Sequence, residues 1–440
     1  MKRDENGRRI LSTEVTKMQK GWKRIGLAVV AAGLSLALIL GSVAPTKADE
    51  EKVVKIGIMC CLTGAAASTI APANFGQFDC IRYVNEQGGI HGIKVEGPWE
   101  DFAAVIPRAI TAHKRMVEAG IVLEINIFDT ATMSTIPRLI RDEIPCIFAA
   151  GASSPALLTK PIWVIQSGPE GENCMIEWAQ WIKEEQWTQE RPLRLGYFHL
   201  DAPVQSEGWR NAVPYITELG VEVVGDEKLP MFGAVDTSTE WLRLASKQPD
   251  WVLVSLYGAT LVTAVKDAAR LELREKGINF LADQASLDEE TLRIVGKDGE
   301  GWYKASVSPS SLMTELPGIK AILEAAKKYR GYDPEYVNIL YIRGWMSIAI
   351  GIEAIRMAIE KVGFENLNGR AVRDALLTIK DLDLGLGPLI TITEAKPYYN
   401  DYYFVAHVEN GKLKPITDWI KFIRGGHHVV RDGEIHFEWF

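Results

Sequence analysis

Few residues in this sequence stand in a pattern that acts on, or holds, a small molecule, and those few follow apolar runs. Gly151-Ala152-Ser153-Ser154 comes directly after the run Ile144 to Ala150. Backbone amides and a hydroxyl in such a loop can hold an anion without a full positive charge. The same residues also suit a strand-to-helix turn in which Ser153 or Ser154 caps the helix. Phe128-Asp129-Thr130 ends a second run, which starts at Ile121. Asp129 can face a ligand cation there, or cap the helix that follows.

Patterns of catalysis and nucleotide binding are missing. There is no G-x-x-x-x-G-K-[ST], no G-x-S-x-G, no H-E-x-x-H, and no G-x-G-x-x-G after an apolar run. The five cysteines, Cys60, Cys61, Cys80, Cys146 and Cys174, are too sparse for a disulfide scaffold and show no metal-site spacing. Cys60, Cys61 and Cys146 lie in apolar runs, where free Cys behaves as a small hydrophobe. His427, His428 and His436 stand in a C-terminal stretch without a supporting carboxylate cluster. The expectation is a chain with no metal, no cofactor and no enzymatic activity. Thirteen tryptophans, Trp99, Trp163, Trp209 and Trp302 among them, can supply an aromatic pocket, but spacing assigns none of them.

The elements that must position these loops alternate. Short apolar runs at Val53 to Cys60, Ile93 to Val95, Ile121 to Phe128, Ile144 to Ala150 and Ile162 to Gln166 are separated by amphipathic segments such as Phe75 to Asn85 and Pro107 to Ala119. That is the rhythm of βαβ units on a parallel sheet. It restarts with runs at Leu193 to His199, Val221 to Val224, Trp251 to Ser255, Ile278 to Leu281 and Gly301 to Ala305. Helical stretches at Gly318 to Tyr329, Tyr336 to Val362 and Gly369 to Thr378 then bring no strands of their own, and Leu389 to Thr393 and Tyr402 to Val408 read as final strands. The spacing predicts an α/β chain of two doubly wound, Rossmann-like lobes with a hinge and a ligand cleft between them. Residues 52–167 and 306–388 are expected in lobe 1, 168–305 and 389–420 in lobe 2, and 421–440 in a C-terminal tail.

Ahead of the lobes, a basic stretch ending in Lys20, Lys23 and Arg24 precedes an almost uncharged run from Ile25 to Val43 and the small-residue site Thr46-Lys47-Ala48. These are the parts of a secretory signal, with cleavage expected after Ala48. Met18 offers a second possible start. Arg8-Arg9 stands too far from the apolar run for a twin-arginine signal. Residues 49–440 carry 40 basic against 54 acidic residues, a net charge of −14. Such a balance argues against nucleic acid or an anionic membrane surface as partner.

Four stretches give a resemblance. Lys55 to Gly64 (KIGIMCCLTG) with Gly76, Tyr83 to Gly92 (YVNEQGGIHG), Ala149 to Leu157 (AAGASSPAL) and Pro249 to Gly258 (PDWVLVSLYG) occur in the order of the branched-chain amino acid binding family of ABC transporters. The chain resembles that family over about residues 52 to 420, which implies the type I periplasmic binding protein fold. The resemblance implies a ligand-carboxylate site at Gly151, Ala152 and Ser153, a cleft-lining Thr63, ligand contacts at Phe128, Asp129 and Thr130, and an aromatic wall at Tyr257. The family's glutamate for the ligand amine falls near Asp283-Gln284, with Gln284 the best alignment. Gln lacks the charge, so Asp283 or Asp129 must take its place, or the ligand is not an ordinary amino acid. Gln205 begins the segment that replaces the family's Tyr-Gly-x-Gly.

The implied function is the periplasmic receptor of an importer, a monomer that captures an amino acid or related carboxylate or amide by lobe closure and hands it to permease subunits. A ligand sensor for a signalling receptor uses the same lobes and is the alternative. N-terminal sequencing of the exported protein is expected to begin at Asp49; a mature chain that retains residues 1–48 contradicts the signal.

Overall fold

Val54, Ile56, Ile58 and Met59 put buried side chains on both faces of the first strand, which is stable only if helices cover both faces. The computed structural model, which describes residues 52–64, 66–150, 159–230, 234–422, 426–431 and 434–439, meets that demand. The expected signal segment and the Gly151–Ser154 loop lie outside the described residues.

The first half of the chain runs β1 (Val53–Cys60), α1 (Ala67–Glu86), β2 (Lys94–Glu96), β3 (Trp99–Asp101), α2 (Ile106–Glu118), β4 (Leu123–Asn126), α3 (Asp129–Asp142), β5 (Cys146–Phe148) and β6 (Val164–Ile165). β2 and β3 share one edge of β1, and the sheet continues through β4, β5 and β6 with every pairing parallel. The rhythm restarts as α4 (Gly171–Trp181), β7 (Arg194–Leu200), α5 (Pro203–Glu218), β8 (Glu222–Leu229), α6 (Ser238–Ser246), β9 (Trp251–Ser255), α7 (Gly258–Arg270), β10 (Asn279–Ala282), α8 (Glu289–Val295) and β11 (Tyr303–Ser306). These strands pair in the parallel order β8-β7-β9-β10-β11.

Three helices then return to the first sheet: α9 (Pro317–Arg330), α10 (Ile339–Val362) and α11 (Gly369–Leu376). Their apolar residues, Ile319, Ile322, Ile348, Ile355 and Val372, are buried with Ile56, Ile58 and Ile125 of the first sheet. α10 is apolar almost all round, as a helix buried on most sides must be. It crosses α1 at very short range, because a Cβ built on Gly76 would overlap the Tyr341 carbonyl and one on Gly344 the Ala73 carbonyl. β12 (Tyr402–Glu409), β13 (Lys412–Pro415) and β14 (Ile420–Lys421) finally add an antiparallel edge to the second sheet.

Two expectations need correction. Leu389 to Thr393 forms no strand; it makes one bridge, Leu382 to Ile390, and buries Ile390 and Ile392 in the core of the first sheet. Its apolar alternation is satisfied by packing rather than by a ladder. The chain passes to the second sheet only after Tyr399, where Asn400 N donates to Ser167 O (3.0 Å) beside the first crossover. The C-terminal stretch is also more than a tail, since β15 (Gly426–Arg431) and β16 (Glu434–Trp439) pair as an antiparallel hairpin. All five cysteines are free and buried. Among the described residues no helix is long and apolar enough to cross a membrane.

One buried charge cluster gives the first lobe a pH signature. His113 on α2 is fully buried, with Nδ1 2.6 Å from Glu124 Oε2 and Nε2 3.2 Å from Asp142 Oδ2; Arg141 holds the same Asp142. Burial opposes protonation of His113, but the hydrogen bonds and charges of Glu124 and Asp142 outweigh it and raise its pKa above the ordinary 6.5. A raised folded-state pKa contributes stability that is complete below the unfolded value and is lost as pH climbs through the folded one. The stability gap between the wild-type chain and His113→Gln, from urea unfolding, is therefore expected to be largest below pH ~6.5 and to shrink above it. A gap that widens with rising pH contradicts this.

Candidate functional site

Open parallel sheets bind ligands beyond the carboxyl ends of their strands, and here the two sheets direct those ends at one cavity of about 290 Å³. From the first lobe come Ile127, Phe128 and Asp129 after β4, Phe148 and Ala150 at the end of β5, and Ser68, Thr69 and Ile70 at the start of α1. From the second come Leu200 at the end of β7 with Ala202 beyond it, Ser255 at the end of β9 with Tyr257 beyond it, and Asp283 and Gln284 after β10. Gly171, Cys174, Met175 and Trp178 of α4 close one side. The lobes touch beside the cavity: Gly258, at φ +54°, is so near α1 that a Cβ there would lie 2.7 Å from Thr69 Oγ1.

The second-lobe wall is organised by one carboxylate. Asp283 Oδ1 accepts hydrogen bonds from Ala285 N (2.8 Å), Ser286 N (2.9 Å) and Ser286 Oγ (2.9 Å). Its Oδ2 accepts from Ser255 Oγ and from Tyr257 OH (2.8 Å). The Tyr257 hydroxyl in turn accepts from Gln205 Nε2 (2.9 Å). Burial, reinforced by Asp283, pushes the Tyr257 phenol well above its usual range, so it stays a donor. Asp283 therefore spends its acceptor capacity inside the protein.

Asp129 is different. It stands half-buried in the first turn of α3, and its described hydrogen bond comes from the adjacent Thr130 N (2.6 Å). Burial raises its carboxyl pKa, and the backbone hydrogen bond opposes that shift. No Lys, Arg or His lines the cavity among the described residues. Among the described lining residues an anionic group would find hydroxyls, such as those of Ser68, Thr69 and Thr260, rather than a cation. Three polar atoms of lining residues, Trp178 Nε1, Gln205 Oε1 and Gln284 Oε1, are buried without a hydrogen-bond partner among the described residues.

Of the residues singled out in the sequence, Phe128, Asp129, Gln205, Tyr257, Asp283 and Gln284 meet at this cavity. Thr63 does not. It is exposed, and its Oγ1 donates to Asp101 Oδ2 (2.7 Å) while Leu62 N donates to Asp101 Oδ1 (3.1 Å), so the Leu62–Gly64 loop is a turn pinned to β3. Thr130 is absent from the wall and serves Asp129 through its backbone. Gly151, Ala152 and Ser153 lie outside the described residues, next to the lining residue Ala150. None of Trp99, Trp163, Trp209 and Trp302 reaches the cavity; Trp178 does.

The two acids make opposite predictions for stability. Asp283→Asn sets an NH₂ against the Ser255 and Tyr257 hydroxyls and is expected to lower the unfolding free energy by about 1–3 kcal/mol. Asp129→Asn keeps an oxygen for Thr130 N and is expected to shift it by less than about 0.5 kcal/mol. Denaturant midpoints compare them; equal losses contradict the division of labour.

The sequence matches the family model described as periplasmic binding protein over residues 53–412. No curated relative matches it. Among solved structures, a branched-chain amino acid ABC transporter protein from Thermus thermophilus with bound valine is 18% identical, with TM-score 0.76 over 84% of this chain and 97% of that one. A solute binding protein from R. palustris in complex with 4-hydroxybenzoate is 16% identical, with TM-score 0.72 over 84% and 97%. A fatty acid ABC transporter substrate-binding protein from Thermomonospora curvata is 18% identical, with TM-score 0.71 over 84% and 92%. At such identities these likenesses speak for the fold. The match across both lobes places the chain: it belongs to the periplasmic binding protein family, in its two-lobed type I form.

Proposed function

We propose that this chain is the extracytoplasmic receptor of an ABC importer, exported by residues 1–48, which closes on a small organic solute and delivers it to permease subunits. The observation that carries the reading is the cavity itself: about 290 Å³ and walled by both lobes. Its size lies at the small end of solute pockets, roughly 300–1,000 Å³, and suits a molecule the size of an amino acid or a benzoate. Ile70, Ile127, Phe128, Phe148, Met175, Trp178, Leu200 and Leu340 supply an apolar and aromatic surround. A mainly hydrophobic body with a few polar groups fits such a lining.

Asp129 sets the polar demand. As the cavity carboxylate left with acceptor capacity, it favours a solute that brings a donor, whether an ammonium, an amide N–H or a hydroxyl. The solute's own acceptors fall to hydroxyls such as Thr260 and Ser68. The solved relatives named above were found with valine and with 4-hydroxybenzoate, and both kinds of molecule belong in the trial set.

Calorimetry against aliphatic amino acids, hydroxybenzoates and small amides is expected to find one class that saturates with 1:1 stoichiometry and is recovered unchanged. The tryptophan emission should shift with it through Trp178. For an amine-bearing solute, Asp129→Asn is expected to weaken binding about 10-fold or more, the scale of a lost charge-assisted hydrogen bond. No saturable solute from any class, or turnover of one, contradicts the proposal.

A further inference from the structure

One cation supports the cavity from behind its wall. Arg343, on α10, is fully buried and forms no ion pair among the described residues, and its guanidinium reaches three separate segments. Nη1 donates to Ala150 O (2.7 Å) at the end of β5 in the first lobe. Nη2 donates to Gln284 O (2.8 Å) after β10 in the second lobe. Nε donates to Ser308 Oγ (3.0 Å), where the chain leaves the second sheet after β11. Ala150 and Gln284 both line the cavity, one from each lobe.

Such an arrangement is costly unless it has a purpose, because a buried charge needs every partner it can reach. Burial pulls the Arg343 guanidinium below its ordinary pKa, and nearby Tyr399 and Asp283 oppose that shift. The planar fork bonds two carbonyls at once, which a lysine cannot do. The helix that carries it cannot yield, since the neighbouring residue is Gly344, pressed against the Ala73 carbonyl of α1. If the lobes swing apart, a guanidinium fixed to the first lobe keeps Ala150 and loses Gln284.

We propose that Arg343 is a positioning residue that ties lobe closure to the shape of the cavity: by bonding Ala150 and Gln284 together, it favours the arrangement in which the two lobes meet as they do here and sets both walls in register. This goes beyond solute capture, because it assigns part of the closing force to the protein alone. Its partners are two carbonyls and a hydroxyl, all neutral, so it acts as a strut, and Arg343 itself is not among the described lining residues.

The test needs no solute, so a failure of binding leaves it standing. Nitroxide labels at Lys114→Cys in the first lobe and Glu222→Cys in the second, both exposed on the surface, report the interlobe distance by pulsed electron resonance; the native cysteines are buried. Arg343→Met and Arg343→Lys are expected to reduce the short-distance population of the ligand-free protein about twofold or more, with a longer distance taking its place. Ser308→Ala, which leaves the Ala150–Gln284 bridge intact, is expected to match the wild type. Should Arg343→Met fail to fold, Arg343→Lys decides, since it keeps the charge and loses the fork. A distance distribution unchanged in the folded variants overturns the proposal, as does an opening by Ser308→Ala equal to that of Arg343→Lys.

Discussion

Both faces of both sheets are covered, and that single constraint decides where a small molecule can meet this protein. Ile56 and Ile58 on one face with Met59 on the other, and Val252 and Val254 on one face with Leu253 on the other, are all buried, so the central strands have no face free for polar contacts. Backbone groups released from the ladders lie at the strand ends, and parallel strands bring all their carboxyl ends, where ligands bind, to one edge of the sheet. Two such sheets, linked by crossovers near Ser167, Ser308 and Asn400, turn those ends toward each other. The cavity follows from the covering of the sheets rather than from any residue placed to make it.

Within that cavity, charge is rationed. Asp283 is bound up with Ser255, Tyr257 and Ser286, so it gives the second-lobe wall rigidity rather than reactivity. Asp129 remains as the acid that faces the cavity with little to satisfy it. Arg343 balances the region from behind, bonded to backbone carbonyls that the wall residues present. On the reading proposed above, such a site would select by donor placement and apolar fit.

Much of the fold was legible because buried parallel strands are short and continuously apolar, and the helices between them are amphipathic. Leu389 to Thr393 misled for a physical reason: alternation reports burial of every second side chain, and a coil packed under α10 buries Ile390 and Ile392 as well as a strand would. At the cavity, Asp129 was singled out because it follows an apolar run, and Tyr257, Asp283 and Gln284 through the resemblance to the binding-protein family; all four line the cavity. Trp178 and Met175 were not singled out, since α4 is buried on nearly every side and its sequence shows no preferred face. Thr63 looked like a ligand contact because its loop also follows a strand, but Asp101, which binds that loop, is nearly forty residues away in the chain. Arg343 did leave a trace. A lone arginine in the apolar stretch from Ile339 to Ile350 has to be buried and has to find partners, though the sequence does not say which.

The central claim is that one solute engages both lobes in the cavity between them, and hydrogen–deuterium exchange with and without a saturating solute tests it most directly. The account predicts slowed exchange in two sets of segments at once: Ala66–Ile70 and Ile127–Asp129 from the first lobe, and Ser255–Thr260 and Asp283–Ala285 from the second. Protection confined to one lobe, or centred on a surface away from these strand ends, would contradict it.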